Sequence, residues 1–169
     1  MPYPYISLRP EFSSLKTGEI DLQLSTKGRY GSRAMLDLAL RYGQGPIMVR
    51  EIAGRQQLSE KYLEQILSEL RKAGLVISFQ GKKGGFKLAR PPEDITLREV
   101  LEVLEGSFAP VRCVEDKAFC KRSDACSMRD VWENLRTAQV NVLDEWNLEK
   151  LMKFENEKLN NGVHADYCI

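Results

Sequence analysis

Three cysteines, Cys113, Cys120 and Cys126, fall in one short stretch of a chain otherwise almost free of thiols. The first 112 residues contain none, and the only other one is Cys168, beside the C-terminus. Arg112, Lys117, Lys121, Arg122 and Arg129 surround the three. The thiolate is the nucleophilic and metal-binding form of cysteine, and neighbouring cations favour it. The spacing, C-x6-C-x5-C, lacks the C-x2–4-C pairs of structural zinc sites. Soft thiolates in a wide loop suit iron–sulfur ligation. Spacing alone leaves three chemistries open: a cluster, zinc, or free redox thiols. A helix is expected to start just after Cys126, and its free N–H groups favour anionic ligands.

The surrounding chain has the composition of a globular protein. Of 169 residues, 43% are apolar and 29% charged, enough for one or two small domains. No apolar run approaches the roughly 18 residues that span a bilayer. The N-terminus lacks a signal-peptide pattern. These features imply a cytoplasmic, reducing location, where structural disulfides are rare. The net charge of +1 conceals a split. Residues 22–90 carry 13 Lys+Arg and 5 Asp+Glu, a net +8. Residues 91–169 carry 10 and 16, a net −6, and residues 1–21 contribute −1. A basic half of this size is the footprint of a polyanion partner, most often nucleic acid. Enzyme chemistry finds no support. There is no nucleophile–base pair and no nucleotide motif, and the single histidine is His164, in the tail.

The elements that must position these groups are mainly helical. Residues 1–21 hold three prolines and no period, and are expected to be a flexible extension. Residues 22–90 form the predicted DNA-binding domain. Ser25 or Thr26 caps a helix to Tyr42, with Ala34, Met35, Leu38 and Ala39 inward. A short helix spans Val49 to Gln56. Ser59 caps a third helix, Glu60 to Ala73, with Leu63, Ile66, Leu67 and Leu70 as its core stripe. Val76–Gln80 and Phe86–Ala89 flank Gly81-Lys82-Lys83-Gly84-Gly85, a hairpin pattern and not a phosphate-binding loop. Residues 91–146 read as a capping-box helix from Thr96 to Glu105, an irregular cysteine loop and a long helix from Ser127. Residues 147–169 read as a shorter helix and a tail. The long helix carries Met128, Val131, Trp132, Leu135, Ala138, Val142, Leu143 and Trp146 on one broad stripe, suited to a partner subunit.

Helix, short helix, tight turn, capped helix and basic hairpin is the order of a winged helix-turn-helix, whose third helix enters the major groove. The candidate DNA contacts are Lys27, Arg29, Ser59, Lys61, Tyr62, Gln65, Lys82 and Lys83. Lys61 suits guanine acceptors or phosphate, and Gln65 pairs bidentately with adenine. Lys82 and Lys83, at the hairpin tip, suit backbone or minor groove.

The segments Leu24–Tyr30, Ala34–Ala39, Leu58–Gln65, Leu70–Val76 and Gly84–Phe86 resemble the IscR/NsrR/CymR family of bacterial winged-helix regulators. The resemblance extends from about Leu22 to Trp146. It implies a homodimer on double-stranded operator DNA, with Lys61, Tyr62 and Gln65 at base-reading and phosphate-contacting positions. It favours an iron–sulfur cluster on Cys113, Cys120 and Cys126, 2Fe–2S ahead of 4Fe–4S. The alternative is the cluster-free CymR pattern, which Val111–Asp116 resembles. Two departures stand out. Gln80 replaces the arginine that precedes the wing in IscR-type chains, and Arg129 replaces the histidine three residues after the third cysteine. Candidates for a fourth ligand are then Asp130, Asp124, Glu115, His164, Cys168 or a residue of the second protomer. Family chains start at the position of Leu22, so residues 1–21 are expected to lie outside the native protein if that codon initiates translation. The ending Tyr167-Cys168-Ile169 resembles the tail of CymR-type chains and implies capture of the Ile169 carboxylate by cysteine synthase.

Overall fold

Ser25 accepts the Gly28 N–H at 3.1 Å and opens the first helix, α1 (Thr26–Leu40). The structure, a computed structural model, describes residues 24–81 and 84–161. The expected extension 1–21, the wing-tip lysines Lys82 and Lys83, and the tail residues His164, Cys168 and Ile169 lie outside the described residues. On α1, Ala34, Met35, Leu38 and Ala39 are all buried, as their spacing predicts. The helix ends two residues before the predicted Tyr42.

Helix α2 (Val49–Gln56) stops at Gln57, whose left-handed backbone (φ 54°) turns the chain so that Leu58 N–H donates to Ala53 O at 2.9 Å. Helix α3 (Glu60–Lys72) follows at once. Its stripe Leu63, Ile66, Leu67 and Leu70 is fully buried. Ser59 holds the extended backbone of a cap, but its hydroxyl makes no capping bond. The expected side-chain cap is thus corrected. Its main-chain carbonyl accepts Leu63 N–H at 3.0 Å, and Glu60 supplies negative charge to the first turn.

Strands β1 (Val76–Phe79) and β2 (Gly85–Leu88) pair antiparallel, Val76 against Leu88 and Phe79 against Gly85. Ile47 bonds both ways with Phe86, at 2.9 and 2.8 Å, and ties the hairpin to the turn before α2. That close approach explains Gly85, where a Cβ would overlap the Ile47 carbonyl.

Helix α4 (Leu97–Glu105) starts with the predicted capping box of Thr96 and Glu99. It lies against α1 along Gly28 and Gly31, where a Cβ would strike Glu105 and Leu104. The cysteine segment is more ordered than an irregular loop. It holds a single helical turn, α5 (Arg112–Glu115), and two 3-10 turns, at 117–119 and 123–125. Helix α6 (Ser127–Glu145) has no buried residue. Helix α7 (Leu148–Asn160) returns to the core through fully buried Leu148. The α6–α7 junction is stitched to the start of α4 by Leu97 N–H to Trp146 O, 2.7 Å, and Leu148 N–H to Ile95 O, 3.0 Å. Ile95, Val100, Leu104 and Leu148 share one core with α1, α3 and β1.

Candidate nucleic-acid interface and cysteine loop

The face of α3 opposite its leucine stripe presents Lys61 and Gln65 to solvent. Both reach outward because the helical period that buries Leu63, Ile66 and Leu70 leaves positions 61 and 65 on the far side. Tyr62 is half-buried. Its ring meets Tyr30 of α1 edge-on, at 6.2 Å and 82°, and packs against the core. Arg29 is exposed at the start of α1, whereas Lys27 is ion-paired with Glu69 of α3 at 3.1 Å. Arg71 Nη1 donates to Ser78 Oγ at 3.1 Å, linking the end of α3 to the hairpin. Gln80, before the wing glycines, is exposed.

A buried ionic hub sets α2 against α1, and motif reasoning missed it. Asp37 is 3% exposed, yet it is a carboxylate inside the core. Arg55 of α2 grips it with two bonds, Arg41 adds a third at 3.0 Å, and Gln56 donates at 3.4 Å. The bond to Asp37 raises the Arg55 pKa above its ordinary value. Arg33 of α1 closes the network, donating to Gln56 Oε1 at 3.0 Å and Gln56 O at 2.8 Å. The available signal was an acid flanked by the inward positions of an apolar helix face.

Cys113 sits on α5, Cys120 between the two 3-10 turns, and Cys126 before α6; all three are half-buried and unbridged. Buried Val114 anchors α5. Ser123 fastens the loop from inside, donating to Lys117 O at 2.8 Å and Cys120 O at 2.7 Å. Arg129 Nε donates to Cys113 O at 2.9 Å, so α6 holds the first cysteine through its backbone. Lys117 pairs with Asp124; that hydrogen bond and its charge pull the Asp124 carboxyl below its usual range. Among the described residues, no three His, Cys, Asp or Glu side chains are grouped to hold a metal ion. The site therefore offers the right donor chemistry without the donors gathered.

Helix-turn-helix, hairpin and outward basic face define a winged-helix DNA-binding protein, here extended by a thiol-bearing loop and a long helix. Residues 24–154 match the Rrf2 family, described as an iron-dependent transcriptional regulator, and the chain belongs to that family. It is 42% identical over 133 residues to the HTH-type transcriptional regulator CymR of Bacillus subtilis, covering 79% of this chain and 91% of that one. The solved structure of that CymR, the global cysteine regulator of B. subtilis, aligns with a TM-score of 0.66 over 79% of this chain and 98% of that one. T. potens IscR aligns with a TM-score of 0.68 at 42% identity, over 81% of this chain and 90% of that one. IscR of Aliivibrio salmonicida is 37% identical over 131 residues, 78% of this chain and 77% of its own. The resemblance and the mainly helical winged fold read from the sequence are borne out. These relatives are transcriptional regulators rather than enzymes, and this chain is likewise a DNA-binding transcription regulator. Among the described residues, no helix is long and apolar enough to cross a membrane.

Proposed function

We propose that the chain is a cytoplasmic homodimer whose affinity for double-stranded operator DNA is set by an iron–sulfur cluster on Cys113, Cys120 and Cys126, 2Fe–2S ahead of 4Fe–4S. The observation that carries this reading is three half-buried, unbridged thiols on one loop that runs straight into α6. Three soft donors suit iron–sulfur ligation. When bound, such a cluster supplies redox and labile iron–thiolate chemistry that a thiol alone lacks. The protein's own residues hold the loop: Ser123 bonds two of its carbonyls, and Arg129 bonds that of Cys113. Arg129 itself is no ligand, because a guanidinium offers only N–H donors and no acceptor. The fourth donor is then Glu115, Asp124, Asp130, a partner-subunit residue, or the tail's His164 or Cys168. Half-exposed Met128, Val131 and Val142 on α6 suit burial against a second copy. Gln65 reads a base, Lys61 a guanine or a phosphate and Tyr62 a phosphate, with Arg29 and Ser59 toward the DNA backbone, Lys82 and Lys83 toward backbone or minor groove, and Lys27 supporting them.

A second reading is favoured by the dispersed donors and by Arg129. In it the chain is a cluster-free regulator of cysteine metabolism, with thiols as redox switches and cysteine synthase as partner through Ile169.

Purification without oxygen followed by absorption spectroscopy separates the two. The cluster reading expects absorbance between about 300 and 500 nm from thiolate-to-iron charge transfer. Cys113→Ala, Cys120→Ala and Cys126→Ala should each abolish it and leave the dimer folded. A colourless protein, with or without stoichiometric zinc, ends it. Bleaching in His164→Ala or Cys168→Ala would name the fourth ligand.

A further inference from the structure

A recess of about 340 Å³ opens between the end of α1, the turn that follows it and the outer face of the hairpin. It lies apart from the cysteine loop and from the outward face of α3. Buried Leu38 and Ile47 line it from the core, and half-exposed Ile77 and Tyr42 line it nearer the surface. Two cations, Arg41 and Lys87, complete the lining, which includes no acidic side chain. Arg41 commits one guanidinium nitrogen, Nη1, to Asp37 and its carbonyl, at 3.0 and 3.1 Å. Lys87 lies over the Phe79 ring at 4.9 Å and pairs with no carboxylate among the described residues. Glycines hold the intervening turn open. Gly43 and Gly45 take φ values of 84° and 95°, and a Cβ at either would meet nothing within 4 Å.

We propose that this recess binds a small carboxylate with an apolar body, and that its occupancy reports to the DNA-binding elements. The volume is at the lower end of small-molecule sites, which combine apolar walls with a few placed polar groups. The Lys87 ammonium lies over Phe79, a ring outside the lining, but it has no carboxylate partner among the described residues. Turned to an anion in the recess it would make a charge-assisted bond, the strong kind. The lining mixes polar and apolar surface, and its apolar side, Leu38, Ile47 and Ile77, suits an organic anion better than a bare inorganic ion. Coupling follows from Ile47. It lines the recess, exchanges two hydrogen bonds with Phe86 of the wing, and immediately precedes Met48, which caps α2. An occupant that moves Ile47 therefore moves the wing and α2 together, and with α2 the seat of α3. The recess is a second input, independent of the cysteine loop, so this site stands or falls without the cluster.

The test titrates the full-length protein by calorimetry with phenylacetate and hexanoate, using phenethylamine and acetate as controls. Saturable binding of the first two, at about 1 mM or tighter at low salt, is expected. Lys87→Met should weaken it about tenfold, Lys87→Arg should retain it, and Ile77→Glu, an exposed position, should abolish it. Saturating phenylacetate should also shift operator affinity at least about threefold in the unmodified protein and not in Ile77→Glu. The site is refuted by no saturation below about 10 mM, by equal binding of phenethylamine, or by binding that ignores both substitutions. Lys87→Met weakening operator DNA with no carboxylate binding would assign this cation to the phosphate backbone instead. An unchanged operator affinity at saturation would overturn the coupling.

Discussion

Arg55 of α2 holds Asp37 of α1 through two parallel hydrogen bonds, Nε to Oδ1 at 2.9 Å and Nη2 to Oδ2 at 2.7 Å. The planar fork fixes orientation as well as distance. Because α2 leads through a tight turn into α3, the angle at which α3 presents Lys61 and Gln65 depends on this grip.

Asp37→Asn keeps the volume but removes the charge and one acceptor. Breaking a fully buried pair costs about 3–5 kcal/mol. Arg55 and Arg41 are about a third exposed, with side-chain exposures of 33% and 29%, and water recovers part of that loss. A loss of about 2 kcal/mol in urea unfolding at fixed protein concentration is expected. Arg55 is a cation with a raised pKa, so its contribution is complete below the ordinary guanidinium range and does not vary between about pH 6 and 9. A loss under about 0.5 kcal/mol would show that the hub does not hold α2.

Gly31 is where α1 and α4 come closest. A methyl there strikes Leu104 Cδ1 and lies 3.2 Å from Ile66 Cγ2, both in the packed core. Overpacking costs about 1–3 kcal/mol, whereas Gly→Ala in a helix gains up to about 1. Gly31→Ala should destabilise by about 1 kcal/mol, and in a Leu104→Ala background, itself costly because Leu104 is buried, the added penalty of Gly31→Ala should shrink. An equal Gly31→Ala penalty in the Leu104 and Leu104→Ala backgrounds would rule out this contact as the cause.

Much of this was legible because it is periodic or local. The stripe Leu63, Ile66, Leu67, Leu70 announces α3, and Thr96 with Glu99 announces the start of α4. Gly81, Gly84 and Gly85 around Lys82-Lys83 announce the wing. The rest depends on partners remote in the chain. Asp37 and Arg55 are 18 positions apart, and neither belongs to a recognisable spacing. Gly28 and Gly31 read as tolerated helix glycines until α4 is seen against them. Ser59 illustrates the converse: residue type and position predicted a cap, but the hydroxyl does not make the bond. The cysteines were visible as a cluster in sequence, yet closeness along a loop with three separate turns does not gather side chains.

The capping box gives a pH signature. Burial pushes the Glu99 carboxyl up, but hydrogen bonds from Arg90, at 2.7 Å, and from Thr96 N–H, at 2.9 Å, outweigh it and hold the pKa below its ordinary value. A carboxylate with a lowered folded pKa stabilises above its unfolded pKa, and this stabilisation is lost as pH falls through the folded one. The Glu99 side chain is 38% exposed, so only about 1 kcal/mol is expected. The stability gap between the protein and Glu99→Gln should be constant from about pH 6 to 8 and should close below about pH 4. A gap that persists at low pH would mean that the carboxylate charge is not its source.

The outward pair on α3 should separate specificity from affinity. Gln65 can offer an acceptor and a donor to one base edge, so Gln65→Ala should cost about 1–3 kcal/mol on the operator and little on scrambled DNA. Lys61 is exposed and carries charge. If it meets a phosphate, Lys61→Ala should weaken both DNAs alike and reduce the slope of log affinity against log salt by about 1. If it meets guanine instead, the loss should fall on the operator alone. Lys82→Ala should behave as the phosphate case. Gel-shift titrations at three salt concentrations, with operator and scrambled duplexes, distinguish these outcomes. Retention of full discrimination by Gln65→Ala together with an unchanged salt slope in both lysine variants would remove α3 and the wing as the reading surface, and direct the search to Arg29 at the start of α1.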